Sequence, residues 1–123
     1  MAGALTIDTL NASTNVLATQ NGMTGIAKAW VLFNGEDGVI RGSFNVSSIT
    51  IVSSGNFLVN FTTVMPNANY SAVGSAGYGD SGNRPILVTN YAVNTASACS
   101  VATMNTGNTI GGYRYSSVAV FSS

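Results

Sequence analysis

Acidic side chains are the main candidates for acid–base catalysis or metal binding in this chain, and they are few. The sequence holds four acidic residues, Asp8, Glu36, Asp37 and Asp80, and no histidine. Without histidine, His-dependent triads and the common zinc sites are excluded. Paired carboxylates about 5–10 Å apart can hydrolyse glycosides, but Glu36 and Asp37 are adjacent in a turn-rich segment, which favours solvated loop tips. We therefore expect no catalytic residues, and a glycan-degrading enzyme is disfavoured.

Three other features could bind a ligand or react. The turn at residues 34–38 offers oxygen ligands for a structural calcium ion but lacks the spacing of an EF-hand loop. Residues 74–79 have the glycines of a phosphate loop, yet no lysine and no following helical pattern. Cys99 is the one cysteine, which favours a small buried residue. The sequence thus indicates no cofactor and no metal, with an ion at the turn as the alternative.

Charge is scarce along the whole chain. Charged residues make up 7% of the sequence and the net charge is zero, whereas ordinary soluble domains have about 25% charged residues. The few Lys and Arg residues are scattered, which argues against nucleic-acid binding through counterion release. No run approaches the ~20 apolar residues of a membrane span. Because a neutral surface has little colloidal repulsion, we expect other subunits to cover part of it.

Alternating apolar and polar residues predict consecutive β-strands. Phe57, Val59 and Phe61 share one face of a strand, with the period of two that a half-buried sheet demands. Gly- and Asn-rich turns at residues 34–38 and 53–56 indicate hairpins. A shift of phase at Ser47 and Ser48 indicates a bulge or bend. The expected strands cover residues 26–33, 39–46, a continuation through Ile49 and Ile51, 56–63, 70–78, 86–93, 98–104 and 113–121.

These strands predict an all-β fold. Residues 26–123 are expected to form a single antiparallel β-sandwich or jelly-roll-like domain of about eight strands. Residues 1–25 are polar with isolated apolar residues, which indicates an N-terminal arm or connector. The strand at residues 26–33 is expected to be central and covered on both sides. The expected core anchors are Trp30, Phe33, Phe44, Phe57 and Phe61.

Two polar loops are the candidate recognition elements. The loop at residues 78–85 and the Gly-rich loop at residues 105–112 could be plain exposed connections, but loops on a rigid scaffold often carry recognition. Tyrosines are concentrated in the C-terminal half of the chain, where they suit recognition, and their packing in the core or between subunits is the alternative. The candidate recognition residues are Tyr78, Asp80, Asn83, Arg84, Asn105, Asn108 and Tyr113.

Several motifs resemble a β-domain of tailed bacteriophages, notably cyanophages, that occurs in tail-fibre and virion structural proteins. They are AKAWVLFNG (residues 27–35), IRGSFNVSSIT (40–50) and VNFTTVMPNANYSAVGSA (59–76). The preceding LATQNGMTGIAKAW and the terminal VAVFSS are also similar to that group. The likeness covers about the middle half of the chain and fades beyond residue 77.

The resemblance implies a non-enzymatic, surface-exposed virion module that forms a homotrimer. As a tail-fibre tip or receptor-binding module, it would contact the fibre shaft and a host surface glycan or protein. The alternative is a capsid decoration protein whose arm, residues 1–25, binds neighbouring capsid subunits. Both place the chain in the virion after assembly in the host cytoplasm, with no cofactor, no nucleic-acid partner and no membrane insertion.

Overall fold

The chain folds into β-strands joined by turns and loops. The structure is a computed structural model that describes Gly3 and residues 26–77, 85–89 and 91–122. None of these residues forms a helix, so the described part holds no helix that could cross a membrane. The strands are β1 (Ala29–Phe33), β2 (Ile40–Phe44), β3 (Val46–Ser53), β4 (Asn56–Phe61), β5 (Ser71–Gly77), β6 (Ile86–Thr89), β7 (Ala98–Met104) and β8 (Tyr115–Phe121).

These eight strands form two four-stranded sheets in which every neighbouring pair is antiparallel. The strand order is β2-β1-β8-β5 in the first, called sheet A, and β3-β4-β7-β6 in the second, called sheet B. The turns at residues 34–38 and 53–56 join β1 to β2 and β3 to β4 as hairpins, as their Gly and Asn content predicts. The all-β prediction is therefore confirmed.

The core lies between the two sheets. The Phe33 ring from sheet A meets the Phe57 ring from sheet B edge to face, with centroids 5.2 Å apart and an interplanar angle of 76°. Phe61 makes a similar contact with Tyr70 at 5.6 Å. Such aromatic pairs add about 0.5–1.5 kcal/mol beyond the area that they bury. The inward-facing sets of β1, β4, β7 and β8 complete the core: Ala29, Val31, Val59, Cys99, Val101, Val118 and Val120.

The chain passes from sheet A to sheet B at Asn45. This residue separates β2 from β3 and has a φ of 56°, a left-handed conformation that Asn tolerates better than most residues. Its Nδ2 donates to the carbonyls of Lys28 and Thr63, each at 3.0 Å, and its Oδ1 accepts from the Thr63 amide at 2.6 Å. The irregularity expected at Ser47 and Ser48 is present, since the register between β3 and β4 shifts between Val46 and Ser48. The change of sheet itself lies at Asn45, because alternation reveals that the face changes but not which residue adopts the positive φ.

The prediction that Trp30 and Phe44 anchor the core is wrong. Trp30 is 44% exposed, and it pairs directly with Phe44 across β1 and β2, so both side chains lie on the outer face of sheet A. The register shifts between Leu32 and Phe33, which places Phe44 on the face opposite to Ile40. Each sheet covers only the inner face of the other. β1 is therefore central in sheet A, but its outer face, which carries Trp30, is open to solvent.

The strand predicted for residues 86–93 ends at Thr89. Beyond it, the Ala92 amide donates to Ser100 Oγ at 3.0 Å, and Asn94 Oδ1 accepts from the Ser100 amide at 2.9 Å. These bonds hold the segment at residues 91–97 against β7 instead of extending the ladder. Ser100 is fully buried beneath it, although its position in the register places it on the outer side of sheet B.

Candidate interaction surfaces

An apolar row crosses the outer face of sheet A. In register, Phe44 of β2, Trp30 of β1, Ala119 of β8 and Val73 of β5 lie side by side. Directly opposed residues of antiparallel strands point to the same side of a sheet, so the row is continuous across all of its strands. Trp30 is 44% exposed and Val73 is 53% exposed. Leu32, Tyr115 and Phe121 also lie on this face.

The row has a raised half and a hollow half. A Cβ on Gly42 would lie 3.4 Å from Trp30 Cζ3, so the Trp30 ring leans over the glycine of β2 and away from β8. Trp30, Leu32 and Phe44 form what we call the ridge. Beside it is a trough of about 430 Å³. We define the trough by the side chains of its floor and far wall: Val73, Ser75, Ser117 and Ala119.

Few polar groups reach the trough. Ser75 Oγ and Ser117 Oγ are hydrogen-bonded to each other at 3.0 Å, and with the Trp30 indole they are the polar side-chain groups among the residues that line the trough. Arg41 of β2 also reaches this face, where its Cζ lies 4.4 Å from the centroid of the Tyr115 ring. This cation–π contact contributes about 0.5–1 kcal/mol at an exposed site. The trough therefore suits an apolar protein surface better than a sugar or an ion.

The loops at one end of the sheets are fastened together by backbone contacts. The Gly35 amide donates to the Tyr113 carbonyl at 2.8 Å, and the Thr103 amide donates to the Gly55 carbonyl at 2.8 Å. A Cβ on Gly55 would lie 2.6 Å from the Gly111 amide nitrogen, so only glycine permits this approach. Residues 105–114 are thereby held against the two hairpin turns.

The candidate recognition residues that the structure describes have different environments. Asn105 Oδ1 accepts from the Thr109 amide at 2.9 Å, so it shapes its own loop. Asn108 is exposed at the loop tip with a φ of 65°. Tyr113 is 7% exposed, so the prediction that it faces a ligand is wrong. Its backbone bond to Gly35 holds the residue against the neighbouring turn. Tyr78, Asp80, Asn83 and Arg84 lie outside the described residues.

Register nevertheless locates where the loop at residues 78–85 is attached. Gly77 pairs with Tyr115, and Ile86 pairs with Met104. Tyr115 follows residues 105–114 and Met104 precedes them. Both attachment points therefore lie at the same end of the sheets as the loop at residues 105–112.

The acidic residues of the first turn are engaged with nearby groups. Asp37 Oδ1 accepts from the Val39 amide at 3.0 Å. Glu36 Oε1 accepts from Arg114 Nε at 3.4 Å in an exposed pair, which contributes about 0–1 kcal/mol. Across the described ranges, no three His, Cys, Asp or Glu residues lie close enough to hold a metal ion. Asp8 and Asp80 are outside those ranges.

Cys99 and Tyr70 form a buried pair within the core. The Tyr70 hydroxyl donates to the Ala98 carbonyl at 2.8 Å and also contacts the Thr95 carbonyl at 3.0 Å. Cys99 is fully buried, and burial raises the pKa of its thiol to about 11. Burial also raises the pKa of the Tyr70 phenol. A thiol that stays protonated is a poor nucleophile, so the pair is structural.

Comparisons of the chain with protein-family models, with curated proteins and with solved structures find no match.

Proposed function

We propose that this chain is a non-enzymatic structural protein of a tailed-bacteriophage particle that acts by adhesion. Its favoured role is a trimeric tail-fibre tip or receptor-binding module. The motifs that resemble phage tail proteins fall on consecutive elements, from β1 through the Asn45 corner and on to β5. The observation that carries the proposal is a two-sheet scaffold with backbone-fastened loops at one end and an open apolar face at its side.

Adhesion would work through the end of the sheets at which the loops at residues 78–85 and 105–112 are attached, here called the loop end. The tip residue Asn108 is exposed, while the bond of Gly35 to Tyr113 and the close approach of Gly55 to Gly111 hold the surrounding loop. A loop that is already ordered loses little entropy when it binds. Individual contacts would be weak, and a trimer multiplies them, since linked sites raise avidity by roughly 10²–10⁴. A host surface glycan or protein is the proposed receptor class.

A capsid decoration protein is the second candidate. The open outer face of sheet A favours it, because a contiguous exposed apolar patch commonly marks a docking site on another protein. In this role the arm at residues 1–25 would bind neighbouring capsid subunits. The arm and the jelly-roll-like connectivity stay predictions.

Copy number in purified particles separates the two roles. A tail-fibre tip would be present in roughly tens of copies per particle, and a decoration protein in roughly hundreds. A stained gel calibrated against the major capsid protein measures the ratio. If the chain is missing from the particle, both roles are refuted.

Binding of the labelled chain to host cells tests the loop end. Asn108→Gly keeps the positive φ and removes the side chain, and we expect it to weaken binding about tenfold, since a lost hydrogen bond is multiplied across copies. Asn69→Gly, at an exposed position at the opposite end, is the matched control and should bind as the original chain does. Equal binding by both variants, or turnover of a host polysaccharide by the pure chain, would contradict adhesion through this loop.

A further inference from the structure

The ridge and the trough lie next to each other on one surface. We propose that a second copy of this chain docks on the outer face of sheet A and seats its ridge in the trough. The contact deepens the proposed homo-oligomer, on which it rests, by assigning the interface to specific residues. The chemistry required of the occupant is an apolar, uncharged projection the size of an indole ring, and the face itself supplies one in Trp30.

The strand order makes the surface self-complementary. A two-fold axis parallel to the strands, between β1 and β8, places β1 of one copy over β8 of the other and β2 over β5. Trp30 then lies over Ala119 of the second copy, and Phe44 lies over Val73. Large residues meet small ones in both directions, which is the reciprocal pattern of a two-fold contact. Stacked sheets are about 10 Å apart, so side chains from both faces can interdigitate.

Charge also favours a second copy. Arg41 is on the edge strand β2, which this arrangement places over β5 of the second copy. The residues of β5, Ser71–Gly77, carry no charge, so no like charges meet and no carboxylate is buried among the residues that the structure describes on this strand. A strongly acidic or basic partner would find no charged side chain among the residues that line the trough.

The size of the face predicts how tight the contact is. Four strands about 4.8 Å apart and roughly 20 Å long give a flat footprint of about 400 Å². A standard stable interface buries about 800 Å² per partner. The contact is therefore a weak one that dissociates on dilution. In a three-fold ring each ridge would instead enter the trough of the next copy in a head-to-tail contact, so the oligomer mass tells which closed symmetry is formed.

Two valine variants test the contact on the full chain. Val73 and Val52 are both on edge strands, in sheets A and B, and are 53% and 56% exposed. We expect Val73→Arg to weaken self-association roughly 100-fold, because an arginine in the apolar trough loses hydration without a partner. Val52→Arg should associate as the original chain does. Sedimentation equilibrium over a dilution series measures both against the 12.5 kDa monomer.

Fluorescence of Trp30, the one tryptophan of the chain, measures the same contact, because Trp30 lies within the proposed interface. The emission maximum should move to shorter wavelength with rising concentration for the original chain and for Val52→Arg, and stay fixed for Val73→Arg. If Val73→Arg does not fold by circular dichroism, Ala119→Leu fills the trough without adding charge and should weaken association in the same way.

A chain that stays monomeric at every concentration, or equal association of the Val73→Arg and Val52→Arg variants, would overturn the contact. A dimer would support the contact and refute the proposed trimer. Failure to bind host cells would refute the receptor-binding role and leave the contact intact.

Discussion

The outer faces of the two sheets carry different side chains at their centres: hydrogen-bonded polar groups on sheet B and an apolar ring on sheet A. On sheet B, Asn60 Nδ2 donates to Thr50 Oγ1 at 2.8 Å and to Ser48 Oγ at 3.1 Å, and Ser47 Oγ donates to the Asn60 carbonyl at 3.3 Å. The segment at residues 91–97 covers part of β7 on the same side. On sheet A, the corresponding central position is occupied by Trp30, which is partly open to solvent.

This difference separates a face with a polar network from one with an apolar row in register, although sheet B also exposes apolar side chains such as Val52 and Ile86. Polar side chains that bond to one another need no further contact to be satisfied. An apolar row in register leaves surface area whose burial would release about 25 cal/mol per Å². We therefore expect changes on sheet B to affect the stability of the monomer, and changes on sheet A to affect assembly.

The largest effect should come from the core that both faces share. Phe57→Ala removes the ring that meets Phe33 between the sheets, and we expect it to lower the free energy of unfolding by about 3–5 kcal/mol. Leu58→Ala, one residue along β4 on the outer face, should cost clearly less. Urea denaturation measures both. Equal losses would mean that the two faces of β4 are not distinguished as described.

The Cys99 thiol should make stability depend on alkaline pH. Its pKa is raised from 9.0 to about 11 by burial, so the folded state keeps a proton that the unfolded state releases. The contribution of this thiol to the free energy of unfolding is complete below pH 9 and is lost as the pH rises through 11. At 1.36 kcal/mol per pKa unit it amounts to about 2–3 kcal/mol.

Cys99→Ala is the control for this pH dependence. It should flatten the fall in the free energy of unfolding between pH 9 and pH 10, while the raised pKa of Tyr70 still lowers stability at higher pH. Denaturant titrations at a series of pH values give both curves. A slope unchanged by Cys99→Ala would contradict the burial of a protonated thiol.

A smaller loss is expected on the outer face of sheet B. Asn60→Leu removes the bonds to Ser48 and Thr50, and we expect a cost of about 1–2 kcal/mol, since each exposed hydrogen bond contributes about 0.5–1.5 kcal/mol. Asn69→Leu, at an exposed site outside the sheets, should change stability by less than about 0.5 kcal/mol. Stabilisation by Asn60→Leu would show that this polar network is dispensable.

The smallest effect on the monomer should come from Trp30→Ala. Because Trp30 is 44% exposed on the outer face of sheet A, we expect a loss of about 1 kcal/mol or less in dilute solution. At high protein concentration the loss should grow, since association stabilises the folded state by mass action. Thermal melts at two concentrations measure both values. A loss near that of Phe57→Ala in dilute solution would break the contrast between the faces.

The sequence predicts some parts of this fold well, for physical reasons. The alternation of Phe57, Val59 and Phe61 identifies the inner face of β4, and the strand predicted at residues 98–104 has the observed bounds of β7. The first of these strands has one clear apolar face, and the second lies between polar, turn-forming segments. Glycine and asparagine mark the hairpin turns because they tolerate the positive φ that tight turns require.

Other features depend on long-range pairing that a sequence pattern does not contain. Both faces of β1 are apolar, so the pattern alone cannot tell that Trp30 faces outward and Val31 inward. Tyr113 is held down by a bond to Gly35, a residue distant in sequence. Lys28 is 2% exposed, although charge alone predicts an exposed residue.

Hydroxyl-radical footprinting of the concentrated chain tests the contrast between the faces most directly. Trp30 and Val73 are expected to lose reactivity as the concentration rises, while Val52 on sheet B reacts equally at all concentrations. Diluted chain should regain the reactivity at Trp30. Protection of Val52 with Trp30 unchanged would contradict the assignment of the contact to sheet A.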